Sequence, residues 1–583
     1  MAHREIPGLM ITLVTRDSII YSGGIGFADL EEKIPVNSTH LFRLGSITKS
    51  FAALAIFKLV REGKLSLEDK LSDIAPEVPF QNPWNDTYPV RVKHLLQHST
   101  GFDDMHFTGI YNREGVEKHG LEMIQLFSNS LYCRWPPGTR FSYSNPGFFV
   151  ITYLIEKFSG QTYNDYVSEN IFIPLGMTRS NVDLVLKGRP GYAQGYIYQK
   201  GTYEKVPLYA INAAMAGALN SCADDMALFI RFFLHDGISD SVSLFTSAEL
   251  DKMETPETTL AAVAGLQAGY GYANYWSHLD KKAPFHGHDG GIDGFVSKYA
   301  YNRQLGVGYA LSNNGSTGFG EKIPSWIVDY LTQSAQDPTL PVKSIQEKAV
   351  SPYTGYYRYY SSRNELFAPL EFLMNGRHLR YENDTLYLSR FLGKDEAWVH
   401  SGNNLFRKPD HNTPTMALLK DSVGKEIIAG MRTGYLQRSG FVWPVILRII
   451  LVAALLFNII MIPAGVVISI LQVFGKVDRF ISRSFTIPFL SSACFVAFLV
   501  FFMKSLNELA RLGSINFYTA GVYISGLLFA AFTLISLIRT IGKIRAKRSK
   551  KLTYIILFFS VLQCCLLGFM VWGHYIGLKT WVY

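Results

Sequence analysis

Apolar positions along the chain switch between two periods, and the switches mark its elements. Phe51, Ala52, Leu54, Ala55, Ile56, Leu59 and Val60 recur at helical spacing and are closed by Gly63, which predicts a helix with one buried face and a glycine stop. Before it, residues 9–14 and 19–26 alternate as two strands around Arg16-Asp17. After it, Pro, Asn and Asp punctuate residues 72–90 as loop, and residues 92–98 read as a short helix ending near Ser99-Thr100-Gly101. Further helices are expected over residues 121–128 and 148–158, the latter stopped by Ser159-Gly160. Ser221-Cys-Ala-Asp224 resembles a capping box ahead of residues 226–233, with Asp in the Glu position. Residues 269–276, 294–301 and 305–312 look like antiparallel strands, the last two joined by Asn302-Arg303-Gln304. Strands at both ends of a helical middle predict an α+β arrangement, an antiparallel sheet flanked by helices beside an all-helical region.

The pattern changes again after residue 335. Residues 336–348 are polar and read as a linker; residues 349–440 hold many tyrosines, short alternating runs and Asn/Asp/Gly turns. Residues 379–382 and 385–388 flank Asn383-Asp384 as a hairpin, so this part is expected to be a small, barrel-like β-domain. Residues 441–583 form a third region, with apolar segments at about 449–471, 485–503, 517–538 and 552–575 that contain no Asp, Glu, Lys or Arg. Each approaches the roughly 20 residues that cross a bilayer, predicting a four-helix transmembrane region.

Charge sharpens that reading. Of 56 Lys/Arg and 47 Asp/Glu, 14 and 2 lie from Arg448 onward, leaving a nearly neutral 42 and 45 before it. The formal charge of +9 therefore argues for a membrane and against a nucleic-acid partner. The first loop between spans holds Lys476, Arg479 and Arg483, and the third holds Arg539, Lys543, Arg545, Lys547, Arg548, Lys550 and Lys551. The second holds only Lys504 and Arg511, beside Glu508. Positive loops stay in the cytoplasm, so the first 440 residues are expected outside the cell membrane. No secretory h-region follows Met1, and that orientation leads us to expect an export segment upstream. The 5 cysteines, three of them (Cys494, Cys564, Cys565) in the apolar tail, suggest neither a disulfide framework nor zinc.

Three clusters carry candidate chemistry. Ser46-Ile-Thr-Lys49 opens the first helix, so the hydroxyl and the amine share a face one turn apart. A lysine kept neutral by desolvation can take the serine proton, and the helix N-terminus presents N–H groups to an anion. A second Ser-x-x-Lys, Ser422 to Lys425, lies in a stretch that alternates like a strand and is set aside. Tyr143-Ser144-Asn145 follows the rigid Trp135-Pro136-Pro137-Gly138 loop. Beside a lysine, its phenol can act as base and acid, and Asn145 can hold a substrate amide. Tyr272-Ala-Asn274 repeats the spacing and is read as strand. His286-Gly-His288-Asp289-Gly290-Gly291 precedes a strand, its glycines allowing close backbone approach. No spacing supports a metal site, and no cofactor is implied.

In this order, Ser-x-x-Lys, Tyr-x-Asn and His-x-Gly resemble the serine β-lactamase and penicillin-binding-protein superfamily, most of all its class C β-lactamase and D-amino peptidase branch. Residues 41–46, 95–101, 141–145, 173–177, 216–221 and 290–295 also look like family blocks. The resemblance covers the domain expected over residues 1–335. It implies a serine hydrolase in which Ser46 forms an acyl-enzyme, Lys49 and Tyr143 share acid and base work, and Asn145 positions the substrate. Backbone N–H groups of Ser46 and Gly291, with Gly290 beside them, would form the oxyanion hole. His288 stands where many members carry lysine and would bond the tyrosine or a substrate carboxylate; Asp289 replaces a small residue. The departure favours a peptidase, D-amino-acid-directed or carboxypeptidase-like, with a β-lactamase or esterase as alternatives. A penicillin sensor or non-catalytic membrane binding protein is the alternative of another class. Expected partners are a small-molecule or peptide substrate and the lipid bilayer; oligomeric state is not legible.

Overall fold

The computed structural model describes the chain except for residues 1–5, 113, 185–190, 209, 240–241, 320–321, 339–341, 391–392, 507–511 and 548–550. The start of the chain, part of the expected linker and the loop residues Glu508, Arg511, Arg548 and Lys550 thus lie outside the described residues. Contacts divide the rest into two units, one formed by Met1–Met105, Tyr111–Arg363 and Arg377–Arg438, the other by His106–Ile110, Asn364–Gly376 and Ser439–Tyr583.

The first unit is built on a seven-stranded antiparallel sheet in the order Tyr275–Ser277, Phe285–Ile292, Phe295–Asn302, Val307–Asn313, Gly8–Thr15, Ile19–Asp29, Ile34–Pro35. The chain's first strand thus sits between its last and its second, a closure that alternation alone cannot specify. One face carries the helix Ala223–Leu234, whose Phe229 meets Tyr299 edge to face and whose Phe233 stacks on Tyr301. The other face packs Leu9, Phe285, Tyr309 and Leu311 against Val328 and Leu331 of the helix Lys322–Leu331. The helical region centres on Thr48–Arg61, where eleven of fourteen residues are buried, so it is a core helix and not a half-exposed one. A two-stranded ribbon, Phe42–Gly45 with Leu219–Ser221, leads into it.

Two local expectations fail for tertiary reasons. The Ser221 capping box does not form: Ser221 pairs with Phe42 in the ribbon, Cys222 is the N-cap, and Asp224 accepts from Ser22. The strand expected over 269–276 is confined to Tyr275–Ser277, because residues 271–274 form a buried bend. Tyr272-Ala-Asn274 is therefore bend and not strand, with Ala273 at φ 52° and its carbonyl accepting from Ser50. Ser422 to Lys425 is the turn of a hairpin.

Residues 355–438 close into an eight-stranded barrel of consecutive antiparallel strands. Asn383 and Asp384 both take positive φ at the expected hairpin turn, as a two-residue turn matching strand twist requires. Leu379, Leu388, Trp398, Phe406, Met416 and Ile428 fill the interior, so the barrel is a packed body. In the second unit, Val442–Val473, Ser484–Leu506, Phe517–Arg545 and Lys551–Trp572 are long and apolar enough to cross a membrane. Ser491 bonds Thr533, Ser536 bonds Ser560, and Gln563 Nε2 bonds Asn458 and Ser492, so polar side chains buried between these helices pair across them. Phe107 and Leu366 belong to the same apolar cluster as Phe495, Phe529 and Met570.

Candidate active site

Ser46 lies one residue ahead of the N-cap Ile47, at the junction between the ribbon and the core helix. Lys49, three residues on, is fully buried. Its Nζ has three neighbours: Ser46 Oγ at 3.2 Å, Asn145 Oδ1 at 2.7 Å and the Ala216 carbonyl at 2.5 Å. A neutral amine has two protons and one lone pair, so the two carbonyl oxygens take the protons and the serine hydroxyl can donate to the lone pair. Burial drives the lysine pKa far below its ordinary value, with Arg363 adding to the shift and Asp104 opposing it.

Tyr143 follows the loop and precedes the helix Asn145–Ser159, which starts with Ser144 as N-cap and Pro146 in its first turn. The Lys49 amine lies 5.0 Å from its ring centre. Burial raises the phenol pKa, while the nearby Ser46 hydroxyl and Arg363 pull it down, and it stays above the ordinary value. The two groups are pushed in opposite senses, which favours a neutral amine beside a protonated phenol.

Asn145 is locked on both sides. Its Oδ1 takes Lys49, while its Nδ2 and backbone N–H donate to Asp104 Oδ1 at 2.9 and 3.0 Å. One amide proton is left for a substrate carbonyl.

The strand Phe285–Ile292 brings the third cluster against this junction. A β-carbon on Gly290 would lie 3.0 Å from the Leu44 carbonyl carbon and 3.3 Å from the Ser46 nitrogen, so only glycine lets the two backbones meet. The Gly291 backbone N is packed against Gly45, which itself takes φ 54°. The N–H groups of Ser46 and Gly291 are thereby brought into one neighbourhood. His288 is buried; its Nδ1 contacts the Asp289 carbonyl at 2.5 Å and its Nε2 lies 2.7 Å from the Tyr270 hydroxyl. A carbonyl only accepts, so Nδ1 carries the proton and Nε2 accepts from Tyr270. The tyrosine it bonds is Tyr270 and not Tyr143, whose ring is 6.3 Å away. Burial, then the lysine, lowers its pKa to about 4. Asp289 is exposed and pairs with Lys298 at 3.3 Å.

A Beta-lactamase family model matches residues 1–331, more than half of the chain. The chain belongs to the beta-lactamase family. Penicillin-binding protein 4* of Bacillus subtilis (strain 168) is 27% identical over 365 residues, 58% of this chain and 76% of that protein. Protein flp of Staphylococcus aureus (strain NCTC 8325 / PS 47) is 24% identical over 327 residues, 55% of this chain and 62% of its own length. Among solved structures, the octameric penicillin-binding protein homologue from Pyrococcus abyssi aligns with 75% of this chain and 97% of its own at 24% identity, TM-score 0.49. The D-amino acid amidase from Ochrobactrum anthropi SV3 aligns with 57% and 95% at 22% identity, TM-score 0.46. As a member of that family, matched over residues 1–331, the chain is an enzyme of the serine hydrolase class, and a β-barrel and four apolar helices follow its family domain.

Four residues around this family site escaped sequence reading: His98, Asp104, Tyr270 and Arg363. His98, at φ 51°, accepts from the Ser144 N–H at 3.1 Å and stacks 4.0 Å from the Tyr143 ring. It falls within a stretch that resembles a family block, but nothing marked the histidine itself. Asp104 sits in a stretch without periodicity, Tyr270 in the segment expected as a strand, where nothing marked it for the site, and Arg363 comes from the barrel. Among the described residues, no group of three or more His, Cys, Asp or Glu is placed to hold a metal.

Proposed function

We propose that the protein is a membrane-anchored, extracytoplasmic serine hydrolase that cleaves an amide or ester through an acyl-enzyme on Ser46, and that its substrates are peptides cut beside a D-amino acid. The contact set of Lys49 supports this most directly: two carbonyl acceptors leave the amine lone pair to the Ser46 hydroxyl at 3.2 Å. Ser46 Oγ attacks the substrate carbonyl carbon as its proton passes to Lys49 Nζ. The developing oxyanion is held by the Ser46 and Gly291 N–H groups, an interaction worth about 3–4 kcal/mol per donor in acyl transfer. Collapse breaks the amide or ester bond, and the leaving group takes a proton through the Tyr143 phenol, which Lys49 replenishes. Water then attacks the ester along the reverse path and frees Ser46.

Peptidase chemistry is preferred to β-lactam hydrolysis because His288, neutral and bonded at both nitrogens, offers no positive charge to a lactam carboxylate. An acylating panel of D-amino amides, esters and penicillins, read by intact-mass spectrometry, tests the reading. Ser46-dependent adducts that form and clear with amides and esters are expected. Labelling that persists in Ser46→Ala would overturn it. The basic loops support a cytoplasmic face at residues 472–484 and 539–551. Impermeant maleimide on intact cells should label Lys425→Cys and spare Lys476→Cys; the reverse would invert the orientation.

A further inference from the structure

The barrel reaches into the hydrolase site. Past the strand Gly355–Tyr359, the chain runs alongside residues 140–143 at a constant offset. Arg140 Nη1 donates to the Tyr360 carbonyl at 2.8 Å, and the Ser142 hydroxyl donates to the Ser362 carbonyl at 3.1 Å. Carried one residue further, the same register sets Arg363 against Tyr143, with the guanidinium carbon 4.6 Å from the ring centre. Arg140 also lies 3.9 Å over the Tyr435 ring, and Ser361 Oγ accepts from the Tyr435 N–H at 2.9 Å. The arginine is therefore held by a backbone track, and its position is not that of a free surface side chain.

From there a continuous set of contacts runs to the nucleophile. Arg363 Nε donates to Asp104 Oδ2 at 2.5 Å, Asp104 Oδ1 holds Asn145 at 2.9 and 3.0 Å, Asn145 Oδ1 holds Lys49 at 2.7 Å, and Lys49 meets Ser46. We propose that Arg363 is a positioning residue of the hydrolase site, through which the barrel becomes part of the catalytic machinery. The proposal rests on the serine hydrolase reading above.

An exposed ion pair contributes little, and the Arg363 side chain is 57% exposed. Asp104 changes the comparison, since its side chain is only 9% exposed and its carboxylate anchors Asn145. A buried carboxylate near Lys49 favours the ammonium form and so works against a lysine base. The groups facing Lys49 are Ser46 just ahead of its own helix, Tyr143 and Asn145 beside it, His98, Asp104, His288 and Arg363. Burial keeps both histidines neutral. Asp104 then raises the lysine's proton affinity and Arg363 lowers it, and the two act in the same opposed senses on Tyr143. Arg363 cancels the charge of Asp104 as the base pair experiences it, so the site keeps an acceptor for Asn145 without protonating its lysine. Lysine at 363 would preserve the charge but not the planar donor set that stacks on an aromatic face.

The test uses the full chain in detergent, with acylation of Ser46 by a chromogenic ester followed against pH. Arg363→Ala is expected to lower the acylation rate constant by about 10- to 100-fold, the range for losing a charge-assisted hydrogen bond, and to move the acid limb to higher pH. Adding Asp104→Asn should bring the limb back towards the parent position, because the uncancelled charge is gone, and Arg363→Lys should hold the limb with a reduced rate. A purely structural contact would lower rates without moving the limb, and that outcome overturns the proposal. So does an Arg363→Ala enzyme with unchanged rate and limb while the parent is labelled at Ser46. A parent chain that is never acylated removes the hydrolase reading, and this proposal with it.

Discussion

Asn145 Oδ1 stands 2.7 Å from Lys49 Nζ, and Asp104 holds the other side of the same amide at 2.9 Å. Asn145 is therefore a spacer held in a fixed orientation between the two. Replacing Asn145 with Ala should slow Ser46 acylation by about 10- to 100-fold, since the lysine loses an acceptor and Asp104 loses the Nδ2 donor while keeping the backbone N–H. Asp104→Ala should cost a similar factor alone and add little on top of Asn145→Ala, because both act through one network. Stopped-flow acylation of the four proteins measures the coupling; full additivity would show that the two residues work separately.

The pH dependence should report Lys49 and not histidine. Burial lowers the lysine pKa from its ordinary value, so kcat/KM should rise with pH as the amine loses its proton. His288 titrates at about 4 and is already neutral above pH 5. In His288→Gln the acid limb should shift by less than about half a pH unit, a small part of the usual spread for titrating groups. A larger shift would make the imidazole the titrating base.

Two adjacent glycines should respond oppositely to alanine. At Gly290 a β-carbon meets the Leu44 carbonyl group and the Ser46 nitrogen, whereas at Gly291 nothing lies within 4 Å. Gly290→Ala should destabilise the hydrolase domain by about 1–3 kcal/mol, as overpacking does, and displace the Ser46 N–H enough to abolish acylation. Gly291→Ala should stay within about 0.5 kcal/mol of the parent and keep its N–H. Thermal unfolding and acylation rates check both.

Glu254 links stability to pH away from the active site. Burial raises its pKa from 4.5 to about 7, against the opposing pull of Arg303 and Tyr301. Between those values the folded chain binds a proton that the unfolded chain has released. Stability from this group is thus full below pH 4.5 and declines as pH rises through 7. Glu254→Gln should flatten that part of the Tm-against-pH curve of the hydrolase domain, while an unchanged slope would assign it elsewhere.

Local pattern by itself determined the family motifs, the core helix after Ser46, the hairpin at Asn383-Asp384 and the four apolar helices, because each rests on residues within a few positions of one another. It failed where a distant segment competed: Ser221 was taken into a strand by Phe42, and residues 271–274 were bent under the core helix by Ser50. Only the tertiary structure decided which side chains surround Lys49. Asp104, Tyr270 and Arg363 enter the site from segments 55, 221 and 314 positions beyond Lys49, and no local pattern ties them to it. Desolvation and the cancellation of the Asp104 charge depend on packing in three dimensions, and a one-dimensional pattern of polar and apolar residues does not encode which charges end up a few ångströms apart.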